Sequence, residues 1–353
     1  MFNILYNSFS KDMSHPADRR RFYGYAKARN LKINDNKNIN KNDIIILTNG
    51  KYSDISIYNK IDNPKFKIVY DLCDAYLFEK KSIQKFFRGV FNYITRKNKH
   101  LYFAHTKLIR SICTKSDLII CASEMQKKEI LKYCSNVHVI SDIFSDEVYK
   151  SKKNFSKGDV FNIFWEGQGN NIIEFDDFNK IFNEIEKVIP IAIHFVTDLN
   201  YQNAIKLKRV TKSYIDSKFK NIQTNIYEWN NANLNEIAIK CDIAIIPSSR
   251  RHSNMFLNKS PNKLHLMWKF GLPTLTSFSH SYKEAMDAVQ LDMICYKKQD
   301  WIDKIIYYYN NDKMREVDGK KSYNYVTKYH SDIAEIHKWD KAFMTLNFDL
   351  KNQ

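Results

Sequence analysis

KSPNKLHLMWKFGLPTLTS (residues 259–277) describes a helix with both ends marked and a strand beyond it. Pro261 suits a first helical turn, because its fixed φ fits and its missing N–H is not needed there. Ser260 before it is a good N-cap, since its hydroxyl accepts from a free backbone N–H. Leu264, Met267 and Trp268 supply an apolar face. Gly271 stops the helix, and Pro273 opens the next apolar run. A helix start of this kind attracts phosphate through its dipole and its unpaired donors. Lys263 falls in that first turn, where a cation is unfavourable unless an anion joins it. Ser260, Pro261, Asn262 and Lys263 are therefore candidates for binding a phosphate-bearing ligand.

On either side of this stretch, short apolar segments alternate with helical ones, the pattern of parallel α/β folds. Expected strands in the first half are 2–6, 44–48, 67–72, 118–123 and 137–142. They are apolar almost throughout, as strands covered on both faces must be. SKKNFSKGD (151–159) is polar and aperiodic and reads as a linker. A second strand series follows at 161–167, 191–198, 222–229, 243–249, 272–277 and 293–298. A last helix is expected over 331–347, with Trp339 and Phe343. The chain thus reads as two Rossmann-like domains facing a cleft. The N-terminal one spans 1–150, with 331–353 packing back on it, and the C-terminal one spans 160–330. A chain of 353 residues suits two such domains.

In this order the pieces resemble the GT4-like glycosyltransferases of the GT-B fold. In that family a Pro-x-Lys segment opens a helix closed by Gly-x-Pro, as 261–273 does here. CDIAIIPSS (241–249) resembles the strand that ends at the donor site, and WEGQGNN (165–171) the glycine-bearing loop of the donor domain. CASEMQKKEILKY (121–133) and NVHVISD (136–142) resemble the end of the acceptor domain. The resemblance implies a transferase that moves a sugar from a nucleotide-sugar donor to a glycan or lipid-linked acceptor in bacterial surface polysaccharide synthesis (capsule, O-antigen or lipopolysaccharide). It implies donor contacts at Gly167, Gln168 and Gly169, at Arg250 and Asn258, and at Ser260 to Lys263. It implies no cofactor and no metal. One departure is plain. Retaining members carry two glutamates eight positions apart, and counting back from Gly271 those positions hold Asn258 and Leu266. The family's ribose contact, retaining assignment and uridine or guanosine diphosphate carrier do not transfer directly. A CDP-dependent phosphoalditol transferase of the same fold is the alternative.

Arg250 and Arg251 follow the strand ending at Ser248-Ser249, and arginine can hold phosphate oxygens with two bonds. Lys206, Lys208 and Arg209 are expected on a solvated helix. The loop 7–22 follows the first strand, where His15 and Asp18 are candidates to take the acceptor's proton. Asp71 and Asp74, at the end of another strand, are rivals for that role.

Residues 80–115 hold ten Lys or Arg and no Asp or Glu, interleaved with aromatics. Lys80, Lys81, Lys85, Phe86, Phe87 and Arg88 are expected to lie on an anionic membrane surface. The net charge of +17 fits phosphates, anionic lipid or nucleic acid. A basic nucleic-acid-binding protein is a further alternative, but helix-turn-helix, RNP and finger patterns are all missing, so nucleic acid is not expected as a partner. The six cysteines form no CxxC pair, which fits free thiols in a reducing compartment. With no stretch of about 20 apolar residues and no leader, the chain is expected in the cytoplasm, peripheral to the inner membrane face.

Overall fold

A computed structural model describes residues 2–34, 43–48, 66–79, 94, 105–202, 208–250, 252–348 and 350. The chain divides into two compact units. The first comprises Met1–Ile143, Ser253–Asn262 and Ser331–Gln353; the second comprises Phe144–His252 and Lys263–His330.

Among the described residues, the first unit holds β1 (Ile4–Tyr6), β2 (Ile33–Asn34), β3 (Ile44–Thr48), β4 (Lys67–Leu72), β5 (Leu118–Cys121) and β6 (Val137–Val139). They form one parallel sheet in the order β2-β1-β3-β4-β5-β6. The apolar runs are explained by cover on both faces. Leu5, Ile45, Leu47, Ile68, Tyr70 and Ile119 point one way and meet Leu108, Ile109 and Ile112 of helix His105–Lys115. Their neighbours Ile4, Ile44, Ile46, Val69 and Ile120 point the other way, as the two-residue period of a strand requires. That second face is closed by Phe22 and Tyr25 of helix Phe22–Ala28 and by Trp339, Ala342 and Phe343 of the C-terminal helix Asp332–Met344. Ser331 caps this last helix, accepting from the Ala334 N–H at 3.2 Å. Tyr25 stacks on Trp339 with ring centres 5.5 Å apart, and Arg29 pairs with Asp340. The C-terminal helix returns to the N-terminal sheet as its aromatics require. The short helix Asn254–Leu257 also belongs to this unit, against the turn Tyr76–Phe78.

The second unit holds β7 (Phe161–Gly167), β8 (Ile191–Thr197), β9 (Asn200–Gln202), β10 (Lys208–Val210), β11 (Gln223–Glu228), β12 (Ile243–Ile246), β13 (Thr274–Ser277) and β14 (Ile294–Cys295). Its main sheet is parallel, in the order β11-β8-β7-β12-β13-β14. β9 and β10 form a separate antiparallel pair. Lys208 and Arg209 are exposed on this pair rather than on the helix expected there, which begins only at Thr211.

Residues 151–159 carry no regular secondary structure, yet they are pinned. The Lys152 N–H donates to the Phe270 carbonyl at 2.8 Å. Arg315, fully buried, donates to the Phe155 carbonyl through Nε at 3.1 Å and Nη2 at 2.8 Å. Helix Asn262–Lys269 ends where Gly271 adopts φ +75°, a left-handed conformation that glycine takes without strain. A Cβ on Gly319 would lie 2.4 Å from the Gly271 carbonyl oxygen, so these two glycines let the backbones touch.

Candidate functional site

β7 ends in Trp165-Glu166-Gly167, in the middle of the second unit's sheet. Ligands of open parallel sheets bind beyond the carboxyl ends of the strands. Trp165 is buried against Phe175 and Phe195, with ring centres 5.4 and 5.8 Å away. Lys263 Nζ lies 4.5 Å from the Trp165 ring centre, a cation–π contact. A Cβ on Gly167 would stand 2.8 Å from the Trp165 ring and 3.1 Å from Lys263 Nζ. Gly167 and Lys263, 96 positions apart by subtraction of their numbers, therefore meet. Gln168 is half-buried and leads into the 3-10 turn Gly169–Phe175. Gly169 is held inward, its N–H donating to Asp198 Oδ2 at 2.9 Å. A Cβ there would be 3.0 Å from both the Asp198 carbonyl oxygen and Tyr201 Cβ.

Arg250 is exposed and donates to Glu174 Oε1 through Nε at 2.7 Å and through Nη2. The buried Glu174 also accepts from Ser248 Oγ at 2.8 Å through Oε2. Nearby at the ends of β7 and β11, Glu166 accepts from Trp229 Nε1 at 3.0 Å. Glu166, Glu174 and Trp229 were not singled out from sequence. The only available sign was their position at or after the ends of expected strands. Arg251 lies outside the described residues.

The helix after this region starts at Asn262, one residue later than Pro261 at N1 would require. Pro261 and Ser260 are half-buried and lie just ahead of it. The start is fixed by a side-chain exchange within the first unit: Asn262 Nδ2 donates to Asp142 Oδ1, and the Asp142 N–H reaches Asn262 Oδ1 at 3.4 Å. Asp142 places negative charge at the helix start, where the dipole favours it. Lys263, in the first turn of the helix, is half-buried, whereas Leu264, Leu266, Met267 and Trp268 are fully buried. Leu266, where the family's second glutamate would stand, is thus a core residue. Asn258 is buried and closes the short helix before it, donating to the Asn254 carbonyl at 2.8 Å.

The four proton-acceptor candidates fall into different environments of the first unit. Asp18 is buried and takes hydrogen bonds from Tyr6 Oη at 2.6 Å, Ser10 N at 2.7 Å, Ser10 Oγ at 3.0 Å and Phe9 N. Burial, and then the Asp18 charge, push the Tyr6 hydroxyl well above its ordinary range. His15 caps helix Pro16–Arg19 through Nδ1, which accepts from Ala17 N at 3.1 Å, and stacks on Phe9 at 3.9 Å. Asp71 is buried against Arg21, which donates through Nη2 at 2.6 Å and Nε at 3.1 Å. Burial pushes the Asp71 carboxyl up, and the Arg21 charge and hydrogen bonds oppose this. A carboxylate taking a guanidinium fork is the ionised form, so the pair is ionic. Asp74 keeps solvent access, although the protein packed around it desolvates the carboxyl and raises it above the ordinary range. A hydrogen bond from Tyr76 and the charge of Lys259 act against that rise. Asp74 combines access with a shift toward proton-accepting range.

Lys80, Lys81, Lys85, Phe86, Phe87 and Arg88 lie outside the described residues. The described part of that basic run is Ile94 and helix His105–Lys115, with Lys107, Arg110 and Lys115 exposed opposite the helix's buried face. No helix among the described residues is long and apolar enough to cross a membrane.

No family model matches this chain, and no curated protein matches it. Solved structures do. Staphylococcus aureus TarM, in complex with fondaparinux, alpha-GlcNAc-glycerol and UDP, is 12% identical with a TM-score of 0.56. The match covers 85% of this chain and 55% of TarM, so the chain spans little more than half of that protein's length. Sucrose-phosphate synthase from Thermosynechococcus elongatus is 9% identical with a TM-score of 0.59, covering 92% of this chain and 76% of that one. Anabaena HepE, in complex with UDP-glucose, is 12% identical with a TM-score of 0.59, covering 92% and 81%. Two parallel six-stranded sheets of Rossmann-like order, and likeness to these structures over most of the chain, give this protein the GT-B architecture.

Proposed function

We propose that the chain is a glycosyltransferase that uses a nucleotide-sugar donor, with its donor site in the second unit. The observation that carries this reading is the meeting of Gly167 and Lys263 at the end of β7. Gly167 carries no side chain to displace Lys263, so a half-buried ammonium stands at the end of β7, where it can supply charge to a diphosphate. Three structures of the same fold bind UDP or UDP-glucose, namely TarM and HepE as described and S. aureus MnaA with UDP. In this reading Lys263 and Arg250 neutralise the departing diphosphate without a metal. Gln168 lines the donor beside them. Asp74 in the first unit takes the proton of the acceptor hydroxyl. Asp18 and Asp71 shape the strand ends around it, and His15 orients its loop.

The reading is tested by thermal shift with UDP, GDP, ADP, CMP and CDP. At least one nucleotide should raise the melting temperature, and Lys263→Ala should abolish that rise. A flat response to the whole panel would overturn the proposal, and a response to CMP and CDP alone would move it to phosphoalditol transfer.

We further propose that the acceptor is a glycan or lipid-linked saccharide of bacterial surface polysaccharide synthesis, and that the chain works peripherally on the inner membrane face. Exposed Lys107, Arg110 and Lys115 support this surface. The protein should sediment with vesicles containing anionic lipid and stay in solution with neutral ones. Equal behaviour with both would remove the membrane proposal.

A further inference from the structure

Glu174 lies in the turn after β7 and Arg250 in the loop after β12, and these strands are neighbours in the sheet. We propose that Glu174 is a positioning residue: it holds the Arg250 guanidinium in reserve and hands it to the diphosphate of an incoming nucleotide. This rests on the reading above that the second unit binds a nucleotide.

Three observations carry the handover. First, the pair is unevenly exposed, with 57% of the Arg250 side chain accessible against 11% for Glu174. A ligand can reach the arginine without opening the protein, and an ion pair that wet is weak. Its bonds use Nε and Nη2, one edge of a fork that carries five N–H donors. A diphosphate offers that fork more charge and equally good geometry. Second, Glu174 is not stranded when the arginine leaves. Ser248 Oγ at 2.8 Å still donates to Oε2. A buried carboxylate left without donors would block the exchange. Third, the backbone under Arg250 is fixed. Ser248 N donates to Ser277 Oγ at 3.0 Å, Arg250 N to Ser248 Oγ at 3.1 Å, and Ser249 Oγ to the Ile173 carbonyl at 3.2 Å. The change therefore needs side-chain rotation only, which is fast for an exposed residue.

Glu174 then has a measurable cost. It competes with the phosphates for Arg250. Titration calorimetry with UDP, inorganic pyrophosphate and uridine on the full chain tests this. Arg250→Ala should weaken UDP and pyrophosphate about tenfold or more, the loss of a charged hydrogen-bonding partner. Glu174→Gln should tighten both by about three- to fivefold, the scale of a wet ion pair removed. In the Arg250→Ala background, Glu174→Gln should change nothing. Uridine binding should be indifferent to either change. Unchanged or weaker binding by Glu174→Gln, or no loss in Arg250→Ala, would mean a fixed structural pair and overturn the handover while leaving nucleotide binding intact. Wild-type protein that binds neither UDP nor pyrophosphate would defeat both readings. Melting temperatures show whether Glu174→Gln folds. If it does not, Arg250→Ala alone decides, because a permanently parked arginine predicts no change in affinity.

Discussion

Arg21 and Arg250 each hold a carboxylate near the carboxyl end of a parallel sheet, one sealed and the other wet. The Arg21 and Asp71 side chains are each 1% exposed, and a second carboxylate, Asp142, stands 3.6 Å from Arg21 Nη1. Arg21 also donates to the Ile140 carbonyl, so its charge serves the ends of several strands. Arg250 serves one acid among the described residues, Glu174, and remains largely in water. Charges taken out of water are costly to uncouple, because the remaining partner has no other source of solvation. Charges at the surface can exchange partners for almost nothing. The first unit therefore uses its ion pair as architecture. The second carries one that can take part in binding.

The largest effect that bears on this contrast is expected from Arg21→Met. It leaves Asp71 and Asp142 without their cation and should cost about 3–5 kcal/mol in urea unfolding. Adding Asp71→Leu should recover a good part of that loss, because the stranded carboxylate goes with it. A cost below about 1 kcal/mol for Arg21→Met would erase the distinction. At the other end of the scale, Arg250→Ala should change stability by no more than about 0.5 kcal/mol in the same measurement. A loss of several kcal/mol there would make Arg250 a structural residue and close the route to a handover.

The strands were legible because Ile44 to Leu47 and Leu118 to Cys121 are covered on both faces, and such runs have few other readings. The end of the helix at Gly271 was legible for a local reason, the left-handed turn with Pro273 just beyond it. Gly167 and Lys263 came from a family pattern, and the fold brings them into contact. The rest depends on pairings distant in sequence. An aspartate in a polar loop looks the same whether it faces solvent or, like Asp18, gathers the Phe9 and Ser10 amides. Asn258 reads as a donor contact, and nothing local shows that its amide also closes the turn at Asn254. Glu174 and Arg250 are separated by five strands and three helices among the described residues, and no local periodicity links them. Pro261 was placed one position too far into its helix because the Asp142–Asn262 exchange that sets the start lies outside local sequence.

The first unit is assembled from three separate pieces of chain, one of them only Ser253–Asn262. No single cut can divide this protein into its halves. A fragment ending at Ile143 would lose Trp339 and Phe343 and leave Ile4, Ile44 and Ile46 facing water. Ribosomal synthesis meets the same constraint: the N-terminal sheet emerges early but cannot finish one face until helix Asp332–Met344 has followed it. Until then the sheet carries an uncovered oily surface, and the arrival of that helix is the step that closes it.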